Sequence, residues 1–139
     1  NNKTAKDMKK VLIVSSNYYE NISNNLLEGA SKELKKNNIG FDVLSAPGCF
    51  EIPFLIKKNI DLFDGFVALG CIIRGETYHF DLIANECARK IMDISVSHLK
   101  PIGFGILTCE NLDQALIRSD KNKKNKGKEA TLACIKLIR

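Results

Sequence analysis

The sequence switches repeatedly between two hydrophobic periods, and that alternation limits the folds open to it. Val11-Leu12-Ile13-Val14 is a short, largely β-branched apolar run, the pattern of a strand buried on both faces. From about Glu20 to Lys36 the apolar residues Ile22, Leu26, Leu27, Ala30 and Leu34 recur at helical spacing instead. Asn37-Asn38-Ile39-Gly40 punctuates that helix, and Phe41-Asp42-Val43-Leu44 reads as a second strand. A helix from about Phe50 to Asn59 and a strand over Gly65-Phe66-Val67-Ala68-Leu69-Gly70-Cys71 follow. The longest helix runs from about Thr77 to Leu99, with Phe80, Ile83, Ala84, Cys87, Ile91 and Ile94 on one stripe. Pro101 to Leu107 is the fourth strand; a short helix from about Leu112 to Arg118, a Lys/Asn loop and a helix from about Lys128 to Ile138 complete the order. Strands separated by helices pair in parallel, so this βαβαβαβα order predicts a four-stranded parallel sheet with helices on both faces, a three-layer α/β/α sandwich. With 139 residues and no repeat or linker, residues 1–139 are expected to form one domain.

In such folds ligands sit beyond the carboxyl ends of the strands, which directs attention to four segments. They are Ser15 to Glu20, Ala46 to Pro53, Gly70 to Phe80 and Thr108 to Gln114, and between them they bring aromatics, glutamates, one histidine and free helix N-termini to one edge. Gly70 to Thr77 has the glycine spacing of a P-loop, but Glu76 stands where the lysine belongs, which argues against a nucleoside triphosphate. Gly103-Phe104-Gly105 lacks the third glycine of a dinucleotide fingerprint and lies inside a strand. Gly75-Glu76-Thr77 suits a smaller anion, because the backbone can turn tightly there and the N–H groups opening a long helix favour negative charge. The same residues also read as an ordinary helix start capped by Thr77. His79 falls in the first turn of that helix. A helix N-terminus disfavours imidazolium, so a histidine there suits accepting a proton, and a nearby phosphate would help it give one back. His98, at the far end, reads as structural.

Composition narrows the classes. Cys49, Cys71, Cys87, Cys109 and Cys134 show no CxxC or Cys/His ligand pattern, so neither a disulfide framework nor a metal site is expected, and each thiol reads as a small core residue. The net charge of +5 owes much to Lys121-Asn122-Lys123-Lys124-Asn125-Lys126-Gly127-Lys128. No aromatics interleave that run, so it reads as a solvated loop rather than a nucleic-acid surface, and a phosphorylated small substrate is also compatible with the charge. No run approaches the ~18 apolar residues that a membrane span needs. The segment Asn1 to Lys10 has no apolar stretch with a small-residue cleavage site, from which a cytoplasmic location without membrane association is expected.

Five pieces occur in register: Pro47-Gly48-Cys49-Phe50-Glu51-Ile52-Pro53, the Gly70 to Phe80 segment, Phe104-Gly105-Ile106-Leu107-Thr108, Gln114-Ala115 with Arg118, and Asn125-Lys126-Gly127. Together they resemble the lumazine synthase family, from about Val11 to the C-terminus. The resemblance implies a flavodoxin-like sheet and a riboflavin-biosynthetic condensation. In it, 5-amino-6-(D-ribitylamino)uracil and 3,4-dihydroxy-2-butanone 4-phosphate give 6,7-dimethyl-8-ribityllumazine, phosphate and water. It implies no metal or organic cofactor, since the reactive groups lie in the substrates and the site aligns them.

By similarity, Tyr18 stacks on the uracil, Cys49, Phe50 and Glu51 line the ring and ribityl site, and Cys71, Ile72 and Ile73 edge the pyrimidine. Glu76 and Thr77 offer backbone amides to the phosphate, and Arg118 is its charged partner. Phe104 covers the ring from a neighbouring subunit, Lys126 matches a lysine that approaches the site, and His79 transfers the proton. The family also implies identical subunits as partners, in pentamers or sixty-subunit shells, with riboflavin synthase as a candidate further partner. Asn17 stands where an arginine is common, Tyr18 where phenylalanine is usual, and Ser119 to Asn125 lacks the Gly-Thr-Lys-Ala-Gly pattern of the loop that bends differently in shells and free pentamers. Rival readings are a flavodoxin-like or receiver-like binding module and a member that binds flavin or lumazine without efficient turnover. Ser15 and Ser16 stand where a receiver needs carboxylates, and Ser15 to Tyr19 resembles a flavodoxin phosphate loop only loosely.

Overall fold

The computed structural model describes residues 9–75 and 79–138. Four strands, β1 (Lys10–Ser16), β2 (Gly40–Ala46), β3 (Gly65–Ile73) and β4 (Ile102–Cys109), form one parallel sheet in the order β2-β1-β3-β4. Between and after them run α1 (Glu20–Lys36), α2 (Ile52–Lys58), α3 (His79–His98), α4 (Leu112–Ser119) and α5 (Lys126–Ile138). The chain steps outward from β1 to β2, then reverses past β1 to β3 and β4. Right-handed crossovers therefore put α1 on one face and α2 and α3 on the other. The core divides accordingly. Val11, Ile13, Val67 and Leu69 face Ile22, Leu26, Ala30 and Leu34 of α1 and Ala130 and Cys134 of α5. Leu12, Val14, Phe66 and Ala68 face Ile52 and Ile56 of α2 and Phe80, Cys87, Ile91 and Ile94 of α3. The result is the three-layer, flavodoxin-like α/β sandwich that the periodicity and the resemblance predict.

Local chemistry sets the boundaries. Glu20 opens α1 and Lys35 and Lys36 close it, each sign favourable to its end of the helix dipole. Asn38 then takes a left-handed conformation (φ 59°) while the Ile39 N–H returns to the Leu34 carbonyl at 3.0 Å, a helix stop built on asparagine. The helix expected from Phe50 divides in two. Cys49–Glu51 is a single 3-10 turn and α2 begins at Ile52, because Pro53 lacks an N–H and is tolerated only in a first turn. β4 runs on to Cys109, placing Thr108 and Cys109 inside the strand rather than after it: Ile72 pairs with Thr108 and Ile73 with Cys109. α5 starts at Lys126, within the expected loop, where the Asn125 side chain accepts from the Lys128 N–H at 3.3 Å. Gly127 there packs on α1 so closely that a Cβ would overlap the Leu26 carbonyl. No helix among the described residues is long and apolar enough to cross a membrane.

Candidate active site

The reversal of strand order between β1 and β3 opens a crevice at the carboxyl ends of those strands, the usual position for a ligand in such a sheet. A pocket of about 530 Å³ occupies it. Ser16, Tyr18 and Tyr19 supply the wall after β1; Pro47 to Glu51 supply the wall after β2; Cys71, Ile72 and Ile73 end β3 along its floor; and His79, Leu82 and Ile83 of α3 close it. Tyr18 is 75% exposed and Phe50 57%, large values for aromatic rings, so both stand ready to cover a planar ligand. Tyr19 braces Tyr18 edge-on, with centroids 5.0 Å apart and planes at 77°. The Glu51 carboxylate lies over Gly48, where a Cβ would stand 3.2 Å from its oxygen.

The thiols of this region are structural. All five cysteines are free and buried. Burial pushes the Cys49 thiol up to about 11 and the Cys71 and Cys87 thiols up to about 12. Cys87 donates to the Cys49 carbonyl at 3.2 Å, which ties α3 to the turn carrying Phe50 and Glu51. None of these thiols is poised as a nucleophile. Among the described residues no group of three or more His, Cys, Asp or Glu could hold a metal.

A second cleft, about 640 Å³, lies along the open edge of β4 and is walled by α4 and α5. Phe104, Ile106 and Thr108 line it from the strand, Arg118 from α4, and Lys126 and Glu129 from α5. Arg118 is half-buried, its guanidinium held by the Cys109 sulfur at 3.3 Å and Gln114 Oε1 at 3.4 Å. Lys126 pairs with Glu129 at 3.1 Å.

The sequence model of the family described as 6,7-dimethyl-8-ribityllumazine synthase matches residues 8–139. The chain belongs to that family. Three proteins bearing the same name are similar to it over most of their lengths. That of Bartonella tribocorum is 46% identical, covering 96% of this chain and 92% of its own. That of Agrobacterium fabrum is 44% identical, covering 92% and 91%. That of Zymomonas mobilis is 44% identical, covering 94% and 95%.

The sites expected from lumazine synthases fall into two groups in this chain. Tyr18, Cys49, Phe50, Glu51, Cys71, Ile72, Ile73 and His79 converge on the first pocket. Phe104, Arg118 and Lys126 do not line it; they gather in the second cleft. Glu76 and Thr77, expected at the phosphate, lie outside the described residues. The structure also adds residues that the sequence reading passed over. Ser16 is sealed from solvent, its hydroxyl sits beside the Cys49 thiol, and it borders the pocket. A polar residue ending a buried strand was the available signal. Leu82 and Ile83, three and four residues after His79, share its helix face. Glu129 is the counter-charge to Lys126 and bears the same relation to it on α5.

Proposed function

We propose that the protein condenses 5-amino-6-(D-ribitylamino)uracil with 3,4-dihydroxy-2-butanone 4-phosphate to form 6,7-dimethyl-8-ribityllumazine. The observation that carries this reading is the pocket at the β1/β3 reversal of a lumazine synthase family chain, with Tyr18, Glu51 and His79 on its walls. The 5-amino group attacks the ketone and releases one water to give an imine. Elimination of phosphate from C4 leaves an enol whose tautomerisation makes a new carbonyl at C3, and the ribityl-bearing nitrogen closes the ring on that carbon with loss of a second water. Every reactive group belongs to a substrate, so the protein contributes alignment and proton transfer.

In this assignment Tyr18 stacks on the uracil, Cys49, Phe50 and Glu51 hold the ring and ribityl chain, and Cys71, Ile72 and Ile73 edge the pyrimidine through backbone groups. Glu76, Thr77 and Arg118 receive the phosphate, and His79 moves the proton. The two-cleft arrangement supports a site shared between subunits. Arg118, Phe104 and Lys126 complete a site only if a neighbouring copy brings its second cleft against the first pocket. Repeated head to tail, that contact closes a ring, here a pentamer, as a free ring or as the unit of a shell. We take residues 1–139 as one domain of this family and place the reaction in the cytoplasm, where five buried thiols stay reduced. Riboflavin synthase, which would consume the product, is the proposed further partner.

Incubation of the protein with both substrates, followed by the fluorescence of the lumazine, is the direct test. No fluorescence above the uncatalysed reaction, with flavin or lumazine still bound by the protein, would favour the binding-only reading instead.

A further inference from the structure

We infer that Arg74, which the family reading leaves without a role, is a positioning residue for His79. It rests on the proposed function for its catalytic meaning, but its geometry is independent of it. Arg74 is the first residue after β3, and its N–H still donates to the Cys109 carbonyl at 2.9 Å, so the sheet holds its backbone. Its side chain turns to the start of α3. Nε pairs with Glu110 at 2.6 Å, Nη1 approaches Asp81 at 3.5 Å, and the guanidinium carbon stands 4.4 Å from the centroid of the Phe80 ring. One planar cation therefore joins the segment after β4 to the two residues that directly follow His79.

Two of the three anchors are themselves held in place. Phe80 is buried in the core between the sheet and α3. The Glu110 N–H donates to Gln114 Oε1 at 2.8 Å, and Gln114 caps back on Asn111 through its own N–H at 2.9 Å. The Arg74 side chain is 45% exposed and its carboxylate partners 40% and 58%, so these ion pairs add little to global stability. Their value is directional. A guanidinium can fork to two carboxylates in different directions while stacking on a ring, which an ammonium cannot. The chain leaves the sheet at Arg74 and enters α3 at His79, and Arg74 clamps both ends of that crossing. Loss of the clamp frees the first turn of α3 to shift against the pocket, and a misplacement of about 1 Å at a reacting group can lower turnover by up to about 100-fold.

The test compares Arg74→Gln, Arg74→Lys and Glu110→Gln with the unaltered protein by three measurements: steady-state kinetics with both substrates, thermal unfolding, and NMR of the histidine rings. The chain has two histidines, so His98→Gln assigns the His79 signals outright. Arg74→Gln should lower kcat about tenfold while leaving the KM for the aminouracil within about twofold, and should shift the His79 ring signals but not those of His98. Glu110→Gln should do the same more weakly, and the double variant should be no worse than Arg74→Gln alone, because both remove one contact. Unchanged His79 signals, full activity in Arg74→Lys, or a large fall in Tm with both histidines shifted would overturn the assignment. The ring signals need no turnover. If the unaltered protein forms no lumazine while Arg74→Gln still moves His79 alone, the proposed function fails and the positioning role stands.

Discussion

Gly70→Ala tests the packing beneath the pocket. Gly70 has no positive φ, so alanine is allowed by the backbone and any penalty must come from contacts. The added Cβ would stand 2.6 Å from the Cys49 Sγ, 3.4 Å from the Ser16 Cβ and 3.7 Å from the Ile52 Cδ1. The last two are tolerable; the first requires the sulfur to move by about 1 Å or more to reach ordinary contact. Cys49 lines the pocket, so displacing its sulfur should cost stability and also reshape the site. Overpacking of this kind costs about 1–3 kcal/mol, against which glycine-to-alanine replacement returns about 0.4–1 kcal/mol through the unfolded chain. The net loss should be about 1–2 kcal/mol, or a fall in Tm of roughly 3–8 °C at fixed protein concentration. The KM for the aminouracil should rise with it. Cys49→Ala removes the obstructing sulfur and leaves a small void that the methyl introduced by Gly70→Ala would fill. The double variant should therefore be at least as stable as Cys49→Ala alone, a favourable coupling of about 1–2 kcal/mol in a double-mutant cycle. Losses that simply add, to within about 0.5 kcal/mol, would refute this account of the pocket floor.

His79→Ala should lower turnover by about 100-fold or less, since the condensation has an uncatalysed rate and alignment survives; an unchanged kcat across pH 6–8 in a folded variant would remove His79 from the chemistry. Arg118→Ala should raise the KM for the phosphorylated substrate and leave that for the aminouracil nearly intact, whereas an equal rise in both would point to folding or assembly. Refolded together, His79→Ala and Arg118→Ala chains should regain activity toward about a quarter of the unaltered value, because about a quarter of random interfaces pair an intact His79 side with an intact Arg118 side. Mixed assemblies with no gain would exclude the shared site. Burial holds the Cys49 thiol near 11 and the Cys71, Cys87 and Cys134 thiols near 12, above the ordinary value of 9.0. The folded chain thus keeps protons that the unfolded chain loses, and stability should be full below about pH 8.5 and fall as pH rises from about 9 toward 11. Urea midpoints that stay level or climb over that interval would contradict it.

The secondary elements were legible where one force dominated. The α1 stripe and its charged ends mark Glu20–Lys36 directly, because amphipathic period and dipole agree. The end of β4 was hidden because Thr108 is an exposed polar residue on an edge strand, and only pairing with Ile72 reveals that the ladder continues. The start of α5 was hidden because Lys126-Gly127-Lys128 is a poor helix sequence alone. Tertiary packing against α1 makes the glycine an asset, and no local pattern encodes that.

The site divides along a similar line. Residues at or shortly beyond a strand end, such as Tyr18, Glu51 and Ile73, could be placed from the order of elements, since parallel strands carry all their carboxyl ends to one edge. Arg118 and Lys126 could not. They lie on α4 and α5, and which face those helices cover depends on the strand order β2-β1-β3-β4, which alternation leaves open. Once that order is known, the reversal at β1 places α3 and its histidine on one face, while α5 packs with α1 on the opposite face and the second cleft opens along β4. The fold itself therefore separates His79 and Arg118, the proposed proton-transfer group and phosphate cation, into different clefts of a chain. In the proposed shared site a neighbouring copy would bring the two together, and the two clefts are the surfaces that such a contact would join.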